Sequence, residues 1–220
     1  MLLSMNVIEI FASIDGEGKR QGFLTTFLRL HDCNIRCSYC DTLYSYGDNS
    51  TFESMNVQAV ADTIEQLGNY RITITGGEPL LQEIAVIELI DELTSRNHQY
   101  DFNIETNGTI IPSFHRNNVW FTYDYKTPSS LAEDAMSLDI FKVATQEDII
   151  KFVVGSIQDL DRMDEILKIY PTKAQIFVSP VWGHIEGATI IEYMKAHNWQ
   201  NVRFQLQIHK FIWDPDAKGV

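Results

Sequence analysis

Cys33-Asn34-Ile35-Arg36-Cys37-Ser38-Tyr39-Cys40 contains all three cysteines of a 220-residue chain, spaced Cys-x3-Cys-x2-Cys. Three thiols gathered in one short loop point to a shared inorganic group. An iron–sulfur cubane is ordinarily held by four cysteine thiolates, so three leave one iron with an open position, as a catalytic metal site does. That iron is then available to a reactant. His31, two residues before Cys33, offers a competing reading as the fourth ligand of a Cys3His zinc site, although structural zinc usually draws on two separated ligand pairs. A disulfide would leave one thiol over in a chain with little need of a staple, and three inert core thiols would not be expected to cluster.

Outward from this loop, apolar β-branched segments recur at 26–30, 71–75, 102–105, 119–123, 149–154, 175–178 and 202–208, and each reads as a strand. Helical patterns fall between several of them. Asn56 is placed to cap a helix whose apolar residues Val57, Val60, Ile64 and Leu67 recur at spacings of three and four before Gly68 stops it. Further helices are expected over 81–95, 157–170 and 187–197. Alternation of β and α implies an α/β fold with a mostly parallel sheet. A complete eight-unit barrel takes about 250 residues, so a partial, open (β/α) barrel is expected, with an open flavodoxin-like sheet as the alternative. Either places its chemistry at the carboxyl ends of the strands, where the cysteine loop after Leu30 and the glycine turn after Thr75 lie.

No linker, repeat or low-complexity tract divides the chain, and residues 1–220 read as a single domain large enough to bury its own core. A hydrophobic content of 45% with 21% charged residues is that of a soluble globular protein. The net charge of −13 argues against a nucleic-acid binder, which needs a basic footprint. The first residues, Met1 to Asn6, lack the basic and apolar regions of a signal peptide, and no run approaches the roughly eighteen apolar residues of a membrane span. A cytoplasmic location follows, where thiols stay reduced.

The cysteine spacing, the aromatic Tyr39 before the last cysteine, and Thr75-Gly76-Gly77-Glu78-Pro79 some way downstream together resemble the radical S-adenosylmethionine (SAM) superfamily. That resemblance implies a [4Fe-4S] cluster on Cys33, Cys37 and Cys40, whose open iron chelates SAM and cleaves it reductively to a 5′-deoxyadenosyl radical. It further implies SAM contacts from Tyr39, Asp41, Gly76, Gly77, Glu78, Asp124, Tyr125 and Lys126.

Ser13-Ile14-Asp15-Gly16-Glu17-Gly18, Phe27-Leu28-Arg29-Leu30, Cys40-Asp41-Thr42, Glu105-Thr106-Asn107-Gly108 and Gln205-Leu206-Gln207-Ile208-His209-Lys210 narrow the resemblance to the 7-carboxy-7-deazaguanine synthase family. It implies ring contraction of 6-carboxy-5,6,7,8-tetrahydropterin with loss of ammonia, on the route to queuosine and other deazapurines. SAM would be regenerated, Thr42 would ligate Mg2+, and Ile14, Asp15, Gly16, Glu17, Arg29 and Thr75 would contact the pterin. Arg29, an arginine within an apolar strand, needs an anionic partner or a solvent outlet, and a substrate carboxylate would suit its planar fork. Asp15 and Asp124-Tyr125 depart from residues common in the family, and His209 and Lys210 receive no role. A homodimer and a reduced flavodoxin-type electron donor are the implied partners. A glycyl-radical activating enzyme shares the cysteine spacing and stands as a second enzymatic reading, with a zinc-stabilised binding module as the non-enzymatic one.

Overall fold

The computed structural model describes residues 3–47 and 50–220; Met1 and Leu2, at the start of the stretch read for a signal peptide, lie outside them. A nine-stranded sheet runs β3(Glu53–Asn56), β1(Ser4–Ile14), β2(Leu24–Leu30), β4(Arg71–Gly76), β5(Asp101–Thr106), β6(Val119–Lys126), β7(Ile149–Val154), β8(Gln175–Pro180), β9(Val202–Phe204) from edge to edge. From β2 onward every neighbouring pair is parallel. The first three strands pair antiparallel. This is an open α/β sheet of the expected class, extended by a hairpin that the apolar runs did not disclose.

Local signals set the helices. Asn56 accepts a hydrogen bond from Ala59 N, and Gly68 closes α1(Val57–Leu67) in the left-handed region. Ser156 and Asp159 form a reciprocal capping box on α4(Ile157–Ile169). A 3-10 turn over Pro79–Gln82 precedes α2(Glu83–Arg96), because Pro79 and the Glu78 side chain start the chain turning before an α-helix can form. A short α3(Ile140–Val143) lies between β6 and β7, and α5(Gly187–Ala196) and α6(His209–Ile212) follow. Among the described residues no helix is long and apolar enough to cross a membrane.

Period-two alternation sorts the strand residues onto two faces. Leu28, Ile72, Ile74, Phe102, Ile104, Phe121, Tyr123, Phe152 and Val178 are buried with Val60, Ile64, Val86, Leu89, Leu160 and Ile190 of the helices. Each fully buried side chain of this kind contributes roughly 1.5–3 kcal/mol. The opposite face carries Arg29, Thr75, Glu105, Thr122, Asp124, Lys126 and Lys151 into a cavity. The strand expected over 202–208 stops at Phe204: Gln205 still donates its N–H to the Val178 carbonyl, but its side chain turns to Gly18.

Candidate active site

The cavity, about 270 Å³, sits at the carboxyl ends of the parallel strands and is bounded on one side by Cys33, Cys37 and Cys40. The chain leaves β2 through Asp32, held at φ 76°, whose carboxylate accepts from Cys33 N at 2.8 Å. The glycine turn after β4 is stitched directly to this loop. Gly77 N donates to the Leu30 carbonyl at 3.1 Å and Glu78 N to the Asp32 carbonyl at 2.7 Å. A β-carbon at Gly76 would lie 2.2 Å from the Leu30 oxygen, and one at Gly77 would lie 1.8 Å from the Asp32 oxygen. The paired glycines are thus demanded by the crossing of the cysteine loop, whatever they also offer a ligand.

Burial pushes the Cys33 thiol up and the Cys37 thiol up to about 11. Neither is a thiolate at neutral pH until a metal draws the proton off, as a coordinated cation does. His31, the candidate zinc ligand, instead has its Nε2 2.7 Å from Ser50 Oγ and its ring against Phe52, and it is absent from the cavity lining.

Opposite the thiols lies a cluster of buried charge. Lys126 pairs with Asp124 at 2.8 Å, and Lys151 with Glu17 at 2.6 Å and Asp124 at 3.9 Å. Burial would lower both ammonium groups, but Asp124 at Lys126, and Glu17 with Asp124 at Lys151, more than reverse it and keep them charged. Burial also pushes Glu105 up to about 7, against the opposing pull of Lys151. Glu17 Oε2 and Asp124 Oδ1 are buried without a hydrogen-bond partner among the described residues. Unsatisfied buried acceptors are costly, so these two oxygens mark where a ligand's N–H groups or a cation would be bound.

The chain's last segment closes the cavity. Gln205 grips Gly18 at two points, N–H to Oε1 at 2.7 Å and Nε2 to carbonyl at 3.0 Å. Ile208 N donates to the Gly16 carbonyl, Lys210 pairs with Asp41 at 3.3 Å, and residues 214–220 complete the lining.

A family model described as the Radical SAM superfamily matches residues 29–169. The 7-carboxy-7-deazaguanine synthase of Clostridium acetobutylicum is 38% identical, over 99% of this chain and 100% of that protein. The one from Methanospirillum hungatei is 39% identical, over 96% of this chain and 86% of that protein. This chain belongs to the 7-carboxy-7-deazaguanine synthase family. The solved structure of QueE from Escherichia coli, with 24% identity, superposes with a TM-score of 0.69 over 92% of this chain and 93% of that one, which supports the fold.

As a radical SAM protein this chain uses a [4Fe-4S] cluster and SAM, and the chemistry of the donor set fits them. Cys33, Cys37 and Cys40 line one rim of the cavity and would hold three of the four irons of such a cluster. Nearly all the residues implied by the family resemblance line this cavity, including Tyr39, Asp41, Thr42, Gly76, Gly77, Asp124, Lys126, Ile14, Asp15, Gly16, Glu17, Arg29 and Thr75. Two do not. Tyr125 alternates to the core face, where its hydroxyl donates to Glu133 and its ring meets Phe141 and Phe152. Glu78 is fully buried beneath the site, its carboxylate accepting from Leu80 N, Thr106 Oγ1 and Asn107 N. Their side chains therefore serve the scaffold, and any contact these two residues make with SAM would come from their backbone.

Asp15 lines the cavity, but its carboxylate is engaged by Thr25, Thr73 and Arg20. Arg29 has an anionic partner within the protein, Glu9, at 2.7 Å through Nε. Sequence reasoning left Lys151, Glu105, Asn107 and His209 without a role, although all line the site. For Lys151 a signal existed: a lysine inside Ile149-Ile150-Lys151-Phe152-Val153-Val154, every residue of it buried, needs a buried anion.

Proposed function

We propose that this chain converts 6-carboxy-5,6,7,8-tetrahydropterin into 7-carboxy-7-deazaguanine with loss of ammonia, as the names of its near full-length relatives suggest. The observation that carries the reading is the joining, in one cavity, of a three-thiol rim to a buried set of carboxylates and cations. With the cluster and SAM bound, a primary carbon radical becomes available for hydrogen abstraction. The chain's own residues bind, orient and exclude water. Glu17, held by Lys151, presents Oε2 to the amino and ring N–H groups of the pterin. Arg29 uses Nε on Glu9, which leaves its outer fork for the substrate carboxylate. Glu105, near neutrality at about 7, is a group able to hold or release a proton inside the cavity.

Asp124, Lys126 and Tyr39 face SAM, with Tyr39 steadied by its hydroxyl on the Val153 carbonyl. Thr42, its hydroxyl 3.7 Å from Cys40 Sγ, would offer an oxygen ligand to Mg2+, a cation that prefers oxygen donors and retains waters. Residues 1–220 act as one cytoplasmic domain, paired as a homodimer and reduced by a flavodoxin-type donor. Turnover of the pterin by anaerobically reconstituted protein, with SAM counted alongside product, tests this reading.

A further inference from the structure

We propose that the side-chain amide of Asn107 donates a hydrogen bond to the Cys33 ligand of the cluster and thereby raises the cluster's reduction potential. The inference rests on the reading of Cys33 as a cluster ligand. Asn107 Nδ2 lies 3.6 Å from Cys33 Sγ, and the direction of the amide is fixed by its other end. Its Oδ1 accepts from Thr109 N at 3.0 Å and from Thr109 Oγ1 at 2.7 Å, so the NH2 group must face the cysteine loop. An amide NH2 has two donors; one goes to Asn34 Oδ1 at 2.8 Å, and the other points at the sulfur.

The arrangement is closed on itself. Asn34 Nδ2 donates back to Thr109 Oγ1 at 2.8 Å, completing a ring of three side chains around the first turn of the cysteine loop. Below it, the buried Glu78 carboxylate accepts Asn107 N at 2.7 Å, which links the Gly-Gly-Glu turn to the same ligand. Asn107 is 6% exposed, so water screens the bond little. Thr42 sits at Cys40, and among the described residues Asn107 is the side chain that donates to Cys33.

Hydrogen bonds to cluster sulfurs set the potential. A donor N–H aimed at a thiolate stabilises the form carrying the extra electron, so its removal makes reduction harder. Asn107 is a positioning residue of the cluster, acting through Cys33. Its loss should therefore shift a potential before it alters any contact with substrate.

The test is an EPR-monitored redox titration of the reconstituted holoenzyme beside its Asn107→Ala and Asn34→Ala variants, with iron content measured in each. Asn107→Ala should hold a full cluster whose reduction equilibrium falls about tenfold, 59 mV more negative for a one-electron couple. Asn34→Ala keeps the bond to sulfur through the Thr109 anchor and should titrate like the wild type. An unchanged potential in loaded Asn107→Ala, or an equal shift in Asn34→Ala, would overturn the proposal. Should Asn107→Ala fail to load, pulsed EPR on the reduced wild type with heavy-nitrogen asparagine side chains decides: a coupled amide nitrogen supports the bond and its absence refutes it. None of these readouts depends on pterin turnover, so a failure of the substrate reading would be separately visible.

Discussion

Gly16 carries the imidazole of His209 directly against its α-carbon: a β-carbon at this position would lie 1.9 Å from His209 Nδ1. The turn read as pterin-binding and the tail motif, far apart in sequence, are therefore two halves of one wall. Gly16→Ala should drive the imidazole and the tail away from the cavity. Displacements of about 1 Å near a reacting centre cost roughly 100-fold in rate, so kcat/KM for the pterin should fall by that order while iron content stays at the wild-type level. Steady-state kinetics with parallel iron analysis checks both.

Lys151 is 5% exposed and pairs with Glu17 at 2.6 Å. Removing one partner of a buried pair leaves the other charge uncompensated, at a cost of about 3–5 kcal/mol. For a chain of this size each kcal/mol lowers Tm by roughly 2–4 °C. Lys151→Met should therefore melt about 6–20 °C lower, and adding Glu17→Gln should recover part of the loss. Calorimetry on the metal-free single and double variants measures the coupling.

The carboxyl of Glu105 is raised by burial from its ordinary value to about 7. Between the unfolded value near 4.5 and the folded one, the native state keeps a proton that the unfolded chain has lost. Stability contributed by this group therefore falls as pH rises through that window. Glu105→Gln should flatten the decline. Thermal unfolding of metal-free protein from about pH 5 to about pH 7.5 compares the slopes.

Gly77 and Gly18 separate collision from strain. A β-carbon at Gly77 meets the Asp32 carbonyl oxygen at 1.8 Å, whereas Gly18, at φ 77°, has nothing within 4 Å of that position. Gly77→Ala must push the cysteine loop off the turn and should reconstitute with much less iron per chain. Gly18→Ala bears only the left-handed penalty of about 1–2 kcal/mol and should load normally. Iron and sulfide analysis after identical reconstitution distinguishes the two.

The parallel strands and the crossover helices were legible because their signals are local: Asn56 and Gly68 bound α1 where the periodicity placed it. The edge strand β3 was not, since Glu53-Ser54-Met55-Asn56 has almost no apolar content and is held by pairing with β1. The 202–208 segment alternates like a strand, yet the side-chain capture of Gln205 by Gly18 ends it early, a tertiary bond that no local pattern encodes.

Within the site, the cysteine spacing and the paired glycines were readable, while the reason for the glycines was not. That reason is the passage of Asp32 above Gly77. Tyr125 and Glu78 belonged to the right motifs but face the core and the scaffold, because a motif names neighbouring residues and the period-two alternation of a strand divides them between faces. Lys151 and His209 came to the cavity from a strand and a short helix remote from each other in sequence, joined only by the fold.

The most direct test of the central claim is anaerobic turnover of 6-carboxy-5,6,7,8-tetrahydropterin by the reconstituted, reduced protein with SAM and Mg2+, with product, ammonia and 5′-deoxyadenosine all counted. The reaction should yield 7-carboxy-7-deazaguanine and ammonia in equal amounts, with many turnovers per SAM and no matching build-up of 5′-deoxyadenosine. A fully loaded, reduced cluster that forms no deazaguanine, or SAM cleaved one for one with turnover as in an activating enzyme, would contradict it.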